Sequence, residues 1–315
     1  MSTEQKVLFG VDDSVFARQA IARVGGLLRH SADVKITIFH GAPDPEFSLF
    51  SRVPRLSPEV VENYQKLWSL EQRQVLDRAK EVLTKCGFDP DGVETIYHEK
   101  CNDPASSMYK LATLEDFETI ALARWGAAVP AQKLMGGVTY RLANLADDRV
   151  LWVVDPRILS HDVLITIVGA DISRRVMEHA VRYFAHLKKS RFTFLHVIPP
   201  VPPQVYASSY WVYEPTLNDK EGQWMKEYAN KAKQIANEGK EKLIKAGIPE
   251  QNVAVKFQAQ KEGIARDILA ELEEGNYGVL VLGRKGFKDI SQFGLGSKAN
   301  KLLHTAHALC ICLVN

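Results

Sequence analysis

Short apolar runs alternate with amphipathic stretches along the whole chain. Lys6-Val7-Leu8-Phe9-Gly10-Val11 reads as a buried strand. Apolar residues then recur at Ala17, Ala20, Ile21, Val24, Leu27 and Leu28, the three-four spacing of a helix with one buried face, and Ser14 is placed to cap it. Val34 to His40 alternates as a second strand. Residues 42–58 hold four prolines and two phenylalanines, which predicts a loop or lid. A long helix is expected from about Pro58 to Cys86, closed by Gly87. Val93 to His98 is a third strand, Asp103-Pro104-Ala105 opens a helix with proline in its first turn, Thr119 to Leu122 is a fourth strand and Val150 to Val154 a fifth.

From Asp162 the same order starts again. Val163 to Val168 reads as a strand, and Gly169-Ala170-Asp171-Ile172-Ser173 aligns with Gly10-Val11-Asp12-Asp13-Ser14. Arg191 to Val197 repeats the second strand with its terminal histidine. Pro199 to Pro203 and the aromatic Tyr206, Tyr210, Trp211 and Tyr213 form a second lid-like segment, which either covers a groove or packs the loop down. At an offset of 160, Gly87 falls on Gly247, Ala105 on Ala265, Arg124 on Arg284, Gly126 on Gly286 and Gly136 on Gly296. So many turn positions at one offset imply a duplication. Strands alternating with helices imply a parallel sheet covered on both faces, so each half is expected to be an α/β, doubly wound, five-stranded sandwich. The two tandem domains are placed at residues 1–156 and 161–315.

Composition narrows the partners. The 315 residues suit two domains of about 150. Forty basic and 38 acidic residues leave a net charge of +2 without a long run of one sign, so neither nucleic acid nor a membrane surface is indicated. No apolar stretch approaches the ~20 residues of a membrane span, the N-terminus has no signal core, and four cysteines make no disulfide framework. A cytoplasmic location is the expectation.

The stretch with the clearest chemistry runs from Leu282-Gly283-Arg284-Lys285-Gly286 to Gly294-Leu295-Gly296-Ser297-Lys298. It follows a strand and precedes a helix. Gly283 and Gly286 would allow positive φ and close approach to a ligand, and Gly296-Ser297 opens a helix whose free N–H groups favour anions. The spacing is neither a Walker A loop nor a dinucleotide fingerprint. On spacing alone, a nucleotide loop and a loop that holds nothing remain open. Both this loop and the Asp after the first strand come to the carboxyl ends of the strands, where doubly wound sheets bind ligands, and this favours a nucleotide.

The combination of an acidic residue after the first strand, Leu195-His196-Val197, and G-x2-G-x9-G-S before the last helix resembles the universal stress protein family, in its tandem form. The resemblance implies a fold like the adenine nucleotide alpha hydrolases, ATP or AMP as ligand with or without Mg²⁺, a part in stress survival and no robust turnover. It also implies last strands that join across a pseudo-two-fold, so that the chain makes within itself the dimer of single-domain members; a further homodimer and a protein partner stay open. Carried onto this sequence, the nucleotide contacts are Gly169, Ala170, Asp171, Val197, Gly283, Arg284, Gly286, Gly296, Ser297 and Lys298. Asp171 would face the adenine side, Val197 would line the base pocket, and Ser297 would donate to a phosphate. Lys285, Lys288 and Lys298 are either phosphate partners or solvated surface.

The first half departs from this pattern. Its corresponding residues are Asp12, Arg124, Gly126, Gly136 and Gly137, but Ala123 replaces Gly283, Gly137 replaces Ser297 and Gly41 replaces Val197. Alanine resists positive φ and Gly137 offers no hydroxyl, so this half is expected to bind nucleotide weakly or not at all. Two other functions compete with a nucleotide sensor: a slow ATPase, against which the S-G-G-x-D-S and H-I-G-H signatures are missing, and a scaffold with both sites vestigial. Cys310 and Cys312 are expected as buried core thiols and not metal ligands, and His40 and His196 as hydrogen-bonded structural residues.

Overall fold

Apolar runs become central strands here because helices cover both faces of each sheet, leaving no solvated side to demand alternation. The computed structural model describes residues 4–31, 33–44, 57–126, 135–157, 160–168, 171–198, 217–284, 295–307 and 309–315, with side chains in 217–245 described from residue 229. The lid-like segments at 45–56 and 199–216 therefore lie outside the described residues. The chain divides into two units, Met1–Ile158 and Leu159–Asn315.

In the first unit the elements run β1 (Gln5–Gly10), α1 (Val15–Leu28), β2 (Val34–Gly41), α2 (Pro58–Lys85), β3 (Glu94–His98), α3 (Pro104–Leu114), β4 (Thr119–Ala123), α4 (Gly137–Leu145) and β5 (Val150–Val154). Its strands lie in the order β3-β2-β1-β4-β5, every pair parallel. Helix α1 packs with α2, and α3 with α4, so the two pairs cover opposite faces and the order of the strands reverses between β1 and β4. All five residues of β4 and of β5 are buried.

The second unit repeats this plan with β6 (Val163–Thr166), α5 (Ile172–Phe184), β7 (Phe192–Ile198), α6 (Leu217–Lys245), β8 (Val253–Ala259), α7 (Ile264–Gly275), β9 (Val279–Gly283), α8 (Ser297–Thr305) and β10 (Cys310–Val314). The order is β8-β7-β6-β9-β10, again parallel throughout. Both long helices end as their glycines predict. Gly87 and Gly247 sit at φ +101° and +93°, where a side chain would be strained, and the following N–H groups of Phe88 and Ile248 return to Leu83 and Leu243 at 3.2 and 3.0 Å.

Strand pairing corrects one alignment made from sequence. Val11 and Ile167 are equivalent: each donates its N–H to the second strand of its unit (Phe39 O, 2.9 Å; Leu195 O, 2.8 Å), and each accepts from the Nδ1 of the next residue on that strand, His40 at 2.8 Å and His196 at 2.7 Å. The offset in this part of the chain is thus 156, not 159 or 160. The buried faces of α1 and α5 obey it too, since Ala20, Ile21, Val24, Leu27 and Leu28 match Val176, Met177, Ala180, Tyr183 and Phe184. Asp12 therefore corresponds to Val168, and Asp171 to Val15 at the start of the helix.

Candidate functional site

In the first unit the strand ends are tied together by main-chain bonds. Beyond β1, the Asp12 carboxylate accepts the Ser14 N–H at 3.0 Å, and Ser14 Oγ in turn caps α1 by accepting the Ala17 N–H at 3.0 Å. Beyond β4, Arg124 donates its N–H to Val154 O at 2.8 Å, and its carbonyl accepts from Gly136 at 2.9 Å, which sets the first turn of α4 against the strand end. Thr139 Oγ1 fastens the same turn to Ala123 O at 3.0 Å. A Cβ placed on Gly126 would lie 2.5 Å from Asp12 Oδ2, so this glycine is where the two loops meet.

Between these loops lies a cleft of about 840 Å³, and four predicted residues, Asp12, Gly126, Gly136 and Gly137, line it. The fifth, Arg124, does not. Its guanidinium is buried, 5.7 Å from the Trp125 ring, where loss of hydration lowers its pKa and the neighbouring Asp155 carboxylate raises it. Its side chain is buried within the unit, as that of Arg284 is. What the residue pattern did not reveal is the cleft's apolar wall, including Phe39, Met108 and Trp125. Only the strand alternation that turns Phe39 inward gave a hint of it.

The second unit keeps the main-chain scheme and changes the side chains. Arg284 donates its N–H to Val314 O at 2.7 Å and accepts from Gly296 N–H at 3.1 Å, so Gly296 caps α8 and Ser297 begins it. Ser297 and Lys298 are exposed, Gly296 and Arg284 buried, Gly283 half-buried. Val197, on β7, is buried. Gly283 is the last residue of β9 and, unlike Gly87, Gly247 and Gly263, has no positive φ. This corrects the expectation about Ala123: it closes β4 in the same extended setting and meets no backbone penalty.

Asp171 is the larger departure. It stands at the start of α5 in helical conformation with no side-chain capping bond, its side chain is 96% exposed, and its carboxylate is 3.6 Å from Lys231 Nζ. The Asp12 position holds Val168 instead, whose N–H donates to Ser173 Oγ at 2.7 Å. Gly169, Ala170 and Gly286, together with Lys285 and Lys288, lie outside the described residues.

The histidines at the ends of β2 and β7 are both buried and use Nδ1 on the main chain; burial lowers the pKa of His196, and its bond to the Ile167 carbonyl partly offsets this. Cys310 and Cys312 are fully buried with sulfurs 3.9 Å apart, and burial pushes the Cys312 thiol well up. Among the described residues no group of three or more His, Cys, Asp or Glu is placed to hold a metal, and no helix is long and apolar enough to cross a membrane.

Residues 160–312 match the sequence model of the Universal stress protein family. A universal stress protein from Archaeoglobus fulgidus DSM 4304 aligns over 98% of both chains, with 16% identity and a TM-score of 0.61. A candidate universal stress protein from Pseudomonas aeruginosa UCBPP-PA14 covers 98% of this chain and 92% of its own, at 12% identity and a TM-score of 0.60. At such identities these two likenesses concern the fold, and they extend it over both units. A universal stress protein solved with cAMP aligns to 49% of this chain and 99% of its own at 16% identity, with a TM-score of 0.33. No curated protein matches the sequence.

Proposed function

Because the chain belongs to the universal stress protein family, whose model its second unit matches, we propose that it is a stress-response regulator that binds ATP or AMP in that unit. The observation that carries this reading is the junction of β9 with α8. There the Gly296 N–H is used by Arg284 O, while the next turn begins with an exposed Ser297 and an exposed Lys298. The first N–H groups of a helix have no intrahelical acceptor and carry roughly half a positive charge. A hydroxyl and an ammonium at the same turn add two more donors for a phosphate.

Val197, at the carboxyl end of β7, supplies an apolar wall suited to a purine on the other side of the switch point between β6 and β9. Asp171, exposed beside Lys231, is left out of the contact set. The first unit offers Gly137 where the second has Ser297, and it has no nucleotide role in this proposal. Nucleotide occupancy would act as an input, a partner reading the occupied form in preference to the empty one.

Calorimetric titration of the full chain with ATP and with AMP tests the site. Ser297→Ala should weaken binding about tenfold, the worth of a hydrogen bond to a charged group, while Gly137→Ser in the first unit should leave it unchanged. Binding that ignores Ser297→Ala, or no binding of either nucleotide, would overturn the proposal.

A further inference from the structure

Two thiols on β10 share one face of the strand, since side chains two residues apart point the same way. Cys310 and Cys312 are both fully buried, and their sulfurs stand 3.9 Å apart. The strand itself does not require sulfur at these places. Cys310 and Cys312 lie across from Val279 and Val281 of β9, as Val150 and Trp152 lie across from Thr119 and Ala121 in the first unit, where a valine and a tryptophan are buried instead.

Composition limits how many soft ligands the pair can gather. The chain has four cysteines and nine histidines, and every one of them is among the described residues. Cys86 and Cys101 belong to the first unit, and among the described residues no group of three or more His, Cys, Asp or Glu is placed to hold a metal. Two sulfurs alone are unsuited to zinc, which takes four ligands in structural sites, and to hard cations, which take oxygen. They suit a soft cation of the kind that thiolates select, monovalent copper being the commonest example.

Distance and charge agree with that class. A metal–thiolate bond is about 2.3 Å long, so an ion on the line between two sulfurs needs them about 4.6 Å apart, and a bent bridge needs less. Burial keeps the Cys312 thiol protonated and penalises a bare thiolate. A monovalent cation that takes the place of one thiol proton, which leaves to solvent, gives a neutral unit of one thiolate, one metal ion and one thiol.

We propose that Cys310 and Cys312 form a two-sulfur site for a soft monovalent cation of the copper(I) class. The site is independent of the nucleotide site proposed for the same unit, and each can fail without the other.

The test uses the full-length protein with Cys86→Ser and Cys101→Ser, which leaves the β10 pair as its only thiols, and silver nitrate in chloride-free buffer as a redox-inert probe. Silver is added to the folded chain and, in a second arm, during refolding from urea, because neither sulfur reaches solvent in the folded form. After desalting, mass spectrometry should count one silver ion per chain in at least one arm, and zinc sulfate treated in the same way should wash out. Cys310→Val and Cys312→Val, each leaving a single sulfur, should each lose the ion; Val150 shows that valine fits this strand. Cys310→Ala and Cys312→Ala replace either valine variant that does not fold. The proposal is overturned if silver stays in neither arm, if zinc is retained equally, or if the single-sulfur variants keep the ion.

Discussion

The connection from the fourth strand to the last helix is built in the same way in both units and furnished differently. Arg124 and Arg284 each bond a final strand through N–H and accept from Gly136 or Gly296 through the carbonyl. Around these shared main-chain bonds stand Gly137 in one unit and Ser297 in the other, Asp12 and Val168, Asp155 and Asn315. Residues that the halves share are therefore those the backbone needs, and residues that differ are where ligand chemistry can diverge. A buried arginine repeated at one offset looks like a ligand contact in sequence, yet in the first unit it is part of the packing.

The strongest way to break this comparison is at Asp155. It is 1% exposed and holds Arg157 by two bonds of 2.9 and 2.7 Å, and its charge also acts on the buried Arg124. Asp155→Asn should cost about 3 kcal/mol in urea unfolding, because it leaves a buried guanidinium without its counter-charge. A cost under about 1 kcal/mol would mean that Arg124 is compensated without a carboxylate at this position.

The next largest effect concerns pH. His179 in α5 is buried, its pKa lowered from 6.5 to about 3 by burial and by Arg182; its counterpart in α1 is Arg23, which reaches Pro156 O at 3.1 Å. The folded-state pKa lies below the unfolded one, so the unfolded chain takes up the proton first. The histidine is harmless above pH 6.5, and stability is lost as pH falls from there toward 3. By pH 5 the loss should reach about 2 kcal/mol, and His179→Leu should remove that part of the acid dependence of the melting temperature. An unchanged acid slope would show that the histidine gains a partner on protonation.

Gly239 in α6 sharpens the comparison further. A Cβ there would lie 2.5 Å from Phe194 Cζ and 2.7 Å from Met177 Cγ, whereas the first unit has Ala79 on the helix and Ile38 on the strand at the matching positions. Gly239→Ala should destabilise by about 1.5 kcal/mol through overpacking, despite the better helix propensity of alanine. If Gly239→Ala proves stabilising in the same measurement, Phe194 has room to move.

The smallest difference, about 1 kcal/mol, separates two serines. Ser14→Ala removes a helix cap and should cost about 1 kcal/mol. Ser173 is fully buried and both accepts from the Val168 N–H and donates to its carbonyl, so Ser173→Ala orphans two main-chain groups and should cost more, about 2 kcal/mol. Equal losses in thermal unfolding would remove the distinction between a cap and a loop closure.

Much of the architecture was legible because it is written locally. The spacing of Ala17 through Leu28, the apolar run Val279 to Leu282, and Gly87 with Gly247 each report on a few neighbouring residues, and each appears as expected. The candidate residues were placed well only where they lie on those elements. Ser297 begins α8 as the loop-to-helix pattern predicts, while the counterpart of Asp12 was misassigned because Asp171 offered the right residue type three positions from the right place. Similarity of side chains is a weak guide to equivalence when four residues separate the offsets of the two parts of each repeat.

By itself the sequence determined the duplication, the strand and helix alternation, and hence two parallel, doubly wound sheets, since period and turn chemistry act over short distances along the chain. The tertiary structure alone decided that Val168 stands where Asp12 does, that the Arg124 side chain is buried, and that Gly10 and Gly41 make room for the walls of an apolar cleft. Those outcomes depend on which main-chain groups pair across strands and on which side chains then compete for the same volume, and neither is encoded in any one stretch of residues.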